Sequence, residues 1–171
     1  MATKRFKWIG FLFGLHAHNV AAAAPVDQIP AGDDLANAAH AAARECRPIL
    51  LEFAAERCPY CVRLEQEFLL PMRRNPVDAG RVVMRRIVVD TDTPVIGFDQ
   101  ARTATDDLAT RYAIKVTPTL LFLDTDGAEI AERMVGFNTP EFYGAYLNAA
   151  IDEANLRFRN QARCGGESDR P

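Results

Sequence analysis

Ile49–Leu64 reads ILLEFAAERCPYCVRL. Its first seven residues, Ile49 to Ala55, form a nearly continuous apolar run of strand length, the pattern of a central strand buried on both faces. Glu52 is the one charge inside that run. Cys58-Pro59-Tyr60-Cys61 follows at once, and Pro59 suits the first turn of a helix. Cys61, Leu64 and Phe68 recur at spacings of three and four, which makes one apolar helical stripe. A buried strand running straight into two cysteines at a helix start predicts an α/β fold with its chemistry at the end of the strand.

Two cysteines two residues apart either bind a metal centre or form a reversible disulfide. Zinc normally needs two further ligands. Cys46 and Cys164 are isolated in sequence, and past residue 23 the only histidine is His40, so no second ligand pair stands at metal-site spacing. The redox reading has direct physical support. A thiol at a helix N-terminus faces unpaired backbone N–H groups and the positive end of the helix dipole. Both favour the thiolate, the attacking species. Cys58 is therefore the expected nucleophile, and Cys61, one turn further in, the resolving thiol. The alternative is a structural pair of cysteines within a helix.

Working outward, Asp33 or Asp34 can cap a helix through LANAAHAAARE, a run of strong helix formers. Residues 24–32 contain Pro25, Pro30 and Gly32 and read as a linker. Downstream, Pro71 and Pro76 should end or kink the helix that begins at the cysteines. Arg81 to Asp90 is rich in β-branched residues and reads as a strand. Thr91 to Thr103 looks like a loop or insertion, and Thr105 to Tyr112 like a short helix. Thr119 to Asp124 is an expected strand, Asp126-Gly127 a hairpin turn, and Glu129 to Val135 a returning strand. Thr139 and Pro140 should open a last helix, whose buried face is marked by Tyr143, Leu147, Ile151, Ala154 and Phe158. This order implies a single domain over 33–159, a mixed sheet with helices on both faces, and a polar tail at 160–171.

The N-terminus has its own character. Lys4, Arg5 and Lys7 precede WIGFLFGL at Trp8–Leu15, and small residues end in four alanines at 21–24. Positive start, short apolar stretch and small-residue exit describe a secretory signal peptide over residues 1–23. The apolar run is too short to span a bilayer as a helix. Removal of that segment takes away three basic residues and no acidic one, moving the formal charge from −3 to −6. Export implies an oxidising compartment, where disulfides persist. In that setting Cys46 and Cys164 can pair, the alternative being a buried free Cys46 and an exposed Cys164.

The composition bounds the rest. The 171 residues suffice for one ordinary domain; 49% are hydrophobic and 25% charged, a balance that excludes a disordered chain. A net acidic chain is a poor general nucleic-acid binder. Four cysteines are too few for a disulfide-built scaffold of this length.

Taken together, ILLEFAAERCPYC, the strand ending IVVD, the segment RYAIKVTPTLLFLDTDG and the later MVGF resemble the thioredoxin superfamily across residues 31–158. The nearest flavour is similar to the exported thioredoxin-like proteins related to SoxW and to the catalytic domains of bacterial disulfide isomerases. The resemblance implies a thioredoxin fold with no cofactor beyond the Cys58–Cys61 disulfide and with no bound metal. It matches Thr117-Pro118 to the family's cis-proline loop, where Thr117 offers backbone pairing to an extended substrate, and it gives Pro59 and Tyr60 substrate contact as well. From the residues alone, Pro118 is equally a strand-starting proline. Glu52 falls where the family carries a buried acid, which implies a proton relay to Cys61; the plain alternative is a solvent-facing carboxylate. Arg57 stands at a usual tryptophan position, either as a cation favouring the Cys58 thiolate or as a solvated loop residue. Arg86 matches a lysine near the buried acid, or is an ordinary surface strand residue.

Direction is not written in the motif, because potentials across this fold span a wide range. The chain has no room for the separate dimerisation domain of the isomerases, and it lacks the large helical insertion of strong oxidants. The expectation is a periplasmic reductase kept reduced by a membrane electron donor of the DsbD type. Its partners would be disulfides in exported proteins, such as cytochrome c apoproteins, sulfur-oxidation proteins or damaged secreted proteins. A thiol oxidant or isomerase of the same fold, and a redox-inactive peptide-binding module, are the alternatives.

Overall fold

The computed structural model describes residues 27–161. The expected signal peptide and Cys164, with most of the expected tail, lie outside the described residues. Helix α1, Leu35–Glu45, is capped by Asp34, whose side chain accepts from the Asn37 N–H. Its alanine-rich face at Leu35, Ala38, Ala41 and Ala42 is buried. Cys46 follows in the left-handed region at φ 50°, and its N–H returns to Ala42 O, closing the helix. Cys46 is disulfide-bonded.

Strand β1, Ile49–Ala54, is buried at all six positions. Successive strand side chains point to opposite faces, so both faces of β1 must be covered. It is the centre of a four-stranded sheet of order β2-β1-β5-β6, in which β2 is Val83–Val88, β5 Thr119–Leu123 and β6 Met134–Val135. β1 runs parallel to β2, with Glu52 opposite Arg86, and antiparallel to β5, with Glu52 opposite Leu120. The parallel step from β1 to β2 requires a helical crossover, which residues 59–79 supply. α5, Thr105–Arg111, precedes β5, and α6, Pro140–Asn160, closes the fold. On α6 the five positions Tyr143, Leu147, Ile151, Ala154 and Phe158 are all buried. The core joins them to Leu50, Leu51, Phe53, Leu120 and Phe122.

Several expectations need correction. Residues 24–32 are not a free linker in their described part: Gly32 N–H donates to Arg86 O and Arg86 N–H to Pro30 O, so Ala31 bridges β2 in parallel. Thr91 to Thr103, expected as a loop or insertion, carries a small hairpin, β3 Val95–Ile96 with β4 Arg102–Thr103. The returning strand expected over Glu129–Val135 pairs regularly only at Met134–Val135; Glu129 meets Leu123 in a single bridge. Thr139 stands before α6 at φ 46° but makes no capping hydrogen bond through its side chain.

Pro71 does not end its helix. The chain is helical from Pro59 to Arg74, as α2 Pro59–Leu64, a π-helical turn Glu65–Leu69 and α3 Leu70–Arg74. Within a regular helix the Pro71 ring would press on the Glu67 carbonyl. The wide turn relieves this: Leu70 N–H donates to Glu65 O, five residues back. A break comes at Asn75, whose side chain caps the short α4, Pro76–Ala79.

Candidate active site

β1 ends at Ala54, and the chain turns through Glu56 and Arg57 into α2. Asp90, just past β2, fixes that turn by accepting from the Glu56 N–H at 2.9 Å. Cys58 is the N-cap of α2, with extended backbone and a sulfur that accepts from the Cys61 N–H at 3.1 Å. Pro59 at the first helical position has no N–H to leave unpaired. Cys58 and Cys61 form a disulfide, with Cα atoms 5.2 Å apart. Cys58 keeps 9% of its surface exposed and Cys61 only 1%. An incoming sulfur therefore meets Cys58 first, which is the asymmetry that nucleophile and resolving thiol require.

The second wall comes from far along the chain. The Thr117–Pro118 peptide bond is cis. Thr117 Oγ1 lies 3.7 Å from Cys58 Sγ, within reach of a weak sulfur hydrogen bond. The loop is held by Thr119 Oγ1, which donates to Val116 O, and by Gly136 N–H, which donates to Pro118 O. Gly136 sits at φ 74°, a region that favours glycine. Tyr60 and Val62 beside the cysteines, Val116 beside Thr117 and Val135 opposite Thr119 are about half exposed. They leave exposed apolar surface on these segments. Val116 and Val135 were not singled out from sequence; the signal was their place next to Thr117-Pro118 and within MVGF.

Glu52 is fully buried, and neither carboxyl oxygen has a hydrogen-bond partner among the described residues. Burial, first, and then the Glu65 charge raise its pKa to about 8, against the opposing pull of Arg86. It therefore carries its proton at neutral pH. No hydrogen bond joins it to either cysteine. Arg86 Nε lies 2.8 Å from Glu65 Oε1, an ion pair without the alignment of a hydrogen bond. On α6, the buried Tyr143 hydroxyl also lacks a partner, and burial together with the Glu52 charge pushes its pKa above the usual range. Glu65 and Tyr143 are thus members of the buried polar group that sequence reasoning missed. Arg57 is exposed in the turn before Cys58.

An open groove of about 410 Å³ lies between β6 and α6, lined in part by Met134, Val135, Tyr143 and Tyr146. Neither cysteine lines it. Disulfide exchange needs a reachable sulfur rather than an enclosing pocket, so the chemistry is placed at Cys58 and not in the groove. Among the described residues no three His, Cys, Asp or Glu side chains come together as a metal site. No described helix is long and apolar enough to cross a membrane.

The fold is that of known thioredoxin-like structures. A thioredoxin-fold protein from Helicobacter pylori superposes with a TM-score of 0.51 at 16% identity, covering 81% of this chain and 95% of that one. A mutant poplar thioredoxin h gives 0.50 at 21% identity, covering 73% and 88%. No curated protein matches the sequence. The thioredoxin-like domain family matches residues 35–151, from the start of α1 to the middle of α6. A central mixed sheet with a disulfide at the first turn of its crossover helix supports a thiol–disulfide redox role, and the chain belongs to the thioredoxin-like domain family.

Proposed function

We propose that the protein is an exported, periplasmic thiol–disulfide oxidoreductase that reduces disulfides in other exported proteins. The observation that carries this reading is the Cys58–Cys61 disulfide at a helix N-terminus, in which Cys58 is the less buried partner and is flanked by Thr117. In the reduced form the Cys58 thiolate attacks one sulfur of a substrate disulfide. The substrate S–S bond breaks, a Cys58–substrate bond forms, and the first substrate sulfur leaves as a thiolate that takes a proton from solvent. Cys61 gives up its proton and attacks Cys58 Sγ, which releases the second substrate thiol and closes the Cys58–Cys61 disulfide. Glu52, in the deprotonated fraction that grows as pH nears 8, is the acceptor of the Cys61 proton. Two electrons pass to the substrate, and a membrane dithiol donor of the DsbD type returns them. Pro59, Tyr60, Thr117 and Pro118 form the contact surface, with Thr117 backbone groups pairing an extended substrate segment.

The residues ahead of Asp27 support the export part of the reading through their charged start and short apolar run. The test is insulin reduction driven by dithiothreitol, which should be lost in Cys58→Ser; unchanged turnover sinks the assignment. Equilibration of the Cys58–Cys61 pair with glutathione then decides direction. A potential near that of strong oxidants would replace the reductase reading with an oxidant one.

A further inference from the structure

Glu52 and Arg86 face one another in the parallel register of β1 and β2. An unpartnered buried carboxyl beside a guanidinium ordinarily becomes an ion pair. Here it does not. Arg86 turns its Nε to Glu65, 2.8 Å away, and both Glu52 oxygens stay without a hydrogen bond. Glu65 can do this because it opens the π-helical turn at Glu65–Leu69 and is itself largely shielded, with 19% of its side chain exposed.

We propose that Glu65 is a positioning residue for the Glu52 proton site: by holding the Arg86 guanidinium on its own carboxylate, it keeps Glu52 an unpartnered acid behind the cysteines. The inference rests on the reading that Glu52 handles the Cys61 proton. The groups bearing on Glu52 are Arg86 from β2, Glu65 from the crossover helix and Tyr143 from α6. Glu65 acts on Glu52 twice in the same direction. Its charge disfavours a second anion nearby, and its grip on Arg86 withdraws the cation that would favour one. A glutamine at 65 loses both effects, and Arg86 is released to pair with Glu52.

The experiment follows the Glu52 carboxyl carbon by NMR as a function of pH in the full chain with its disulfide intact. Parent, Glu65→Gln, Arg86→Gln and the double variant are compared. Glu65→Gln should move the Glu52 midpoint down by roughly one pH unit or more. The double variant should return it most of the way, because freed Arg86 is what lowers it. Arg86→Gln alone should raise it modestly, since Arg86 opposes the upward shift. A midpoint in Glu65→Gln equal to the parent's, or additive effects of the two substitutions, overturns the proposal. Should Glu65→Gln fold poorly, Arg86→Lys gives the second reading: a lysine that slips from Glu65 lowers the midpoint, and a midpoint that rises counts against the proposal. Because the titration uses the oxidised protein without substrate, its failure is distinct from loss of the reductase reading, which Cys58→Ser reports. In the reduced protein, the pH profile of disulfide exchange in Glu65→Gln should shift to lower pH with the Glu52 midpoint.

Discussion

Thr117 Oγ1 stands 3.7 Å from Cys58 Sγ, although 59 residues separate them in sequence. The sheet makes this meeting possible, since β5 begins two residues after Thr117 and lies antiparallel against β1, which ends four residues before Cys58. In the reduced protein the hydroxyl can donate to the thiolate, and charge-assisted donors favour the anion. Thr117→Val should slow alkylation of the reduced Cys58 several-fold at neutral pH, and Thr117→Ser should not. The rate of iodoacetamide alkylation against pH measures this; superimposable profiles for Thr117→Val and parent would remove Thr117 from the site chemistry.

Cys61→Ala should separate the two half-reactions. Attack by Cys58 survives, but nothing displaces the mixed disulfide. Turnover should fall to background while a covalent adduct with a disulfide substrate accumulates, visible on a non-reducing gel. The reverse variant, Cys61 kept and Cys58→Ser, should trap far less, because Cys61 is 1% exposed.

Buried Glu52 makes stability depend on pH in a known direction. The unfolded chain sheds its proton near the ordinary value of 4.5, whereas the folded chain holds it to about 8. Its contribution is fully present below about 4.5 and is lost as pH rises towards 8. The loss is on the order of 5 kcal/mol. Urea midpoints of the parent should decline across that window, and those of Glu52→Gln should stay nearly level. Equal slopes for the two proteins would contradict the assignment.

Gly127 lies at φ 80° in the turn after β5, and a Cβ there would stand 2.5 Å from the Phe98 ring and 2.7 Å from the Tyr112 hydroxyl. That hydroxyl donates to Gly127 O. Gly127→Ala should cost about 1–3 kcal/mol through strain and displacement of Tyr112. Thermal unfolding provides the measurement, and a midpoint within experimental error of the parent's would contradict it.

Strong local signals were readable in the sequence, and weak or long-range ones were not. Ile49–Ala54 is apolar at every position but Glu52, so the strand's burial followed from pattern, and the four-three spacing on α6 was equally plain, whereas the cap was narrowed only to Asp33 or Asp34. The cysteines were legible because chemistry and helix position coincide in four residues. Glu65 was not, because its role depends on register across β1 and β2 and on a helix widened by Pro71. Two-residue strands such as β3, β4 and β6 carry too little pattern to announce themselves. Glu129–Val135 looked like a strand by composition, yet only its last two residues reach the β5 ladder.

The widened turn at Glu65–Leu69 has a consequence for anyone rebuilding this chain. It behaves as a one-residue insertion folded into a continuous rod, so residues before and after it are out of phase by about 100° of rotation. Tightening the turn to a regular screw by replacing Pro71, with no residue deleted, would swing Met72 off the core. The same edit would turn Glu65 away from Arg86. Transplanting the CPYC segment into another scaffold therefore means carrying the irregularity along, since the acid–base environment behind the cysteines is indexed to it.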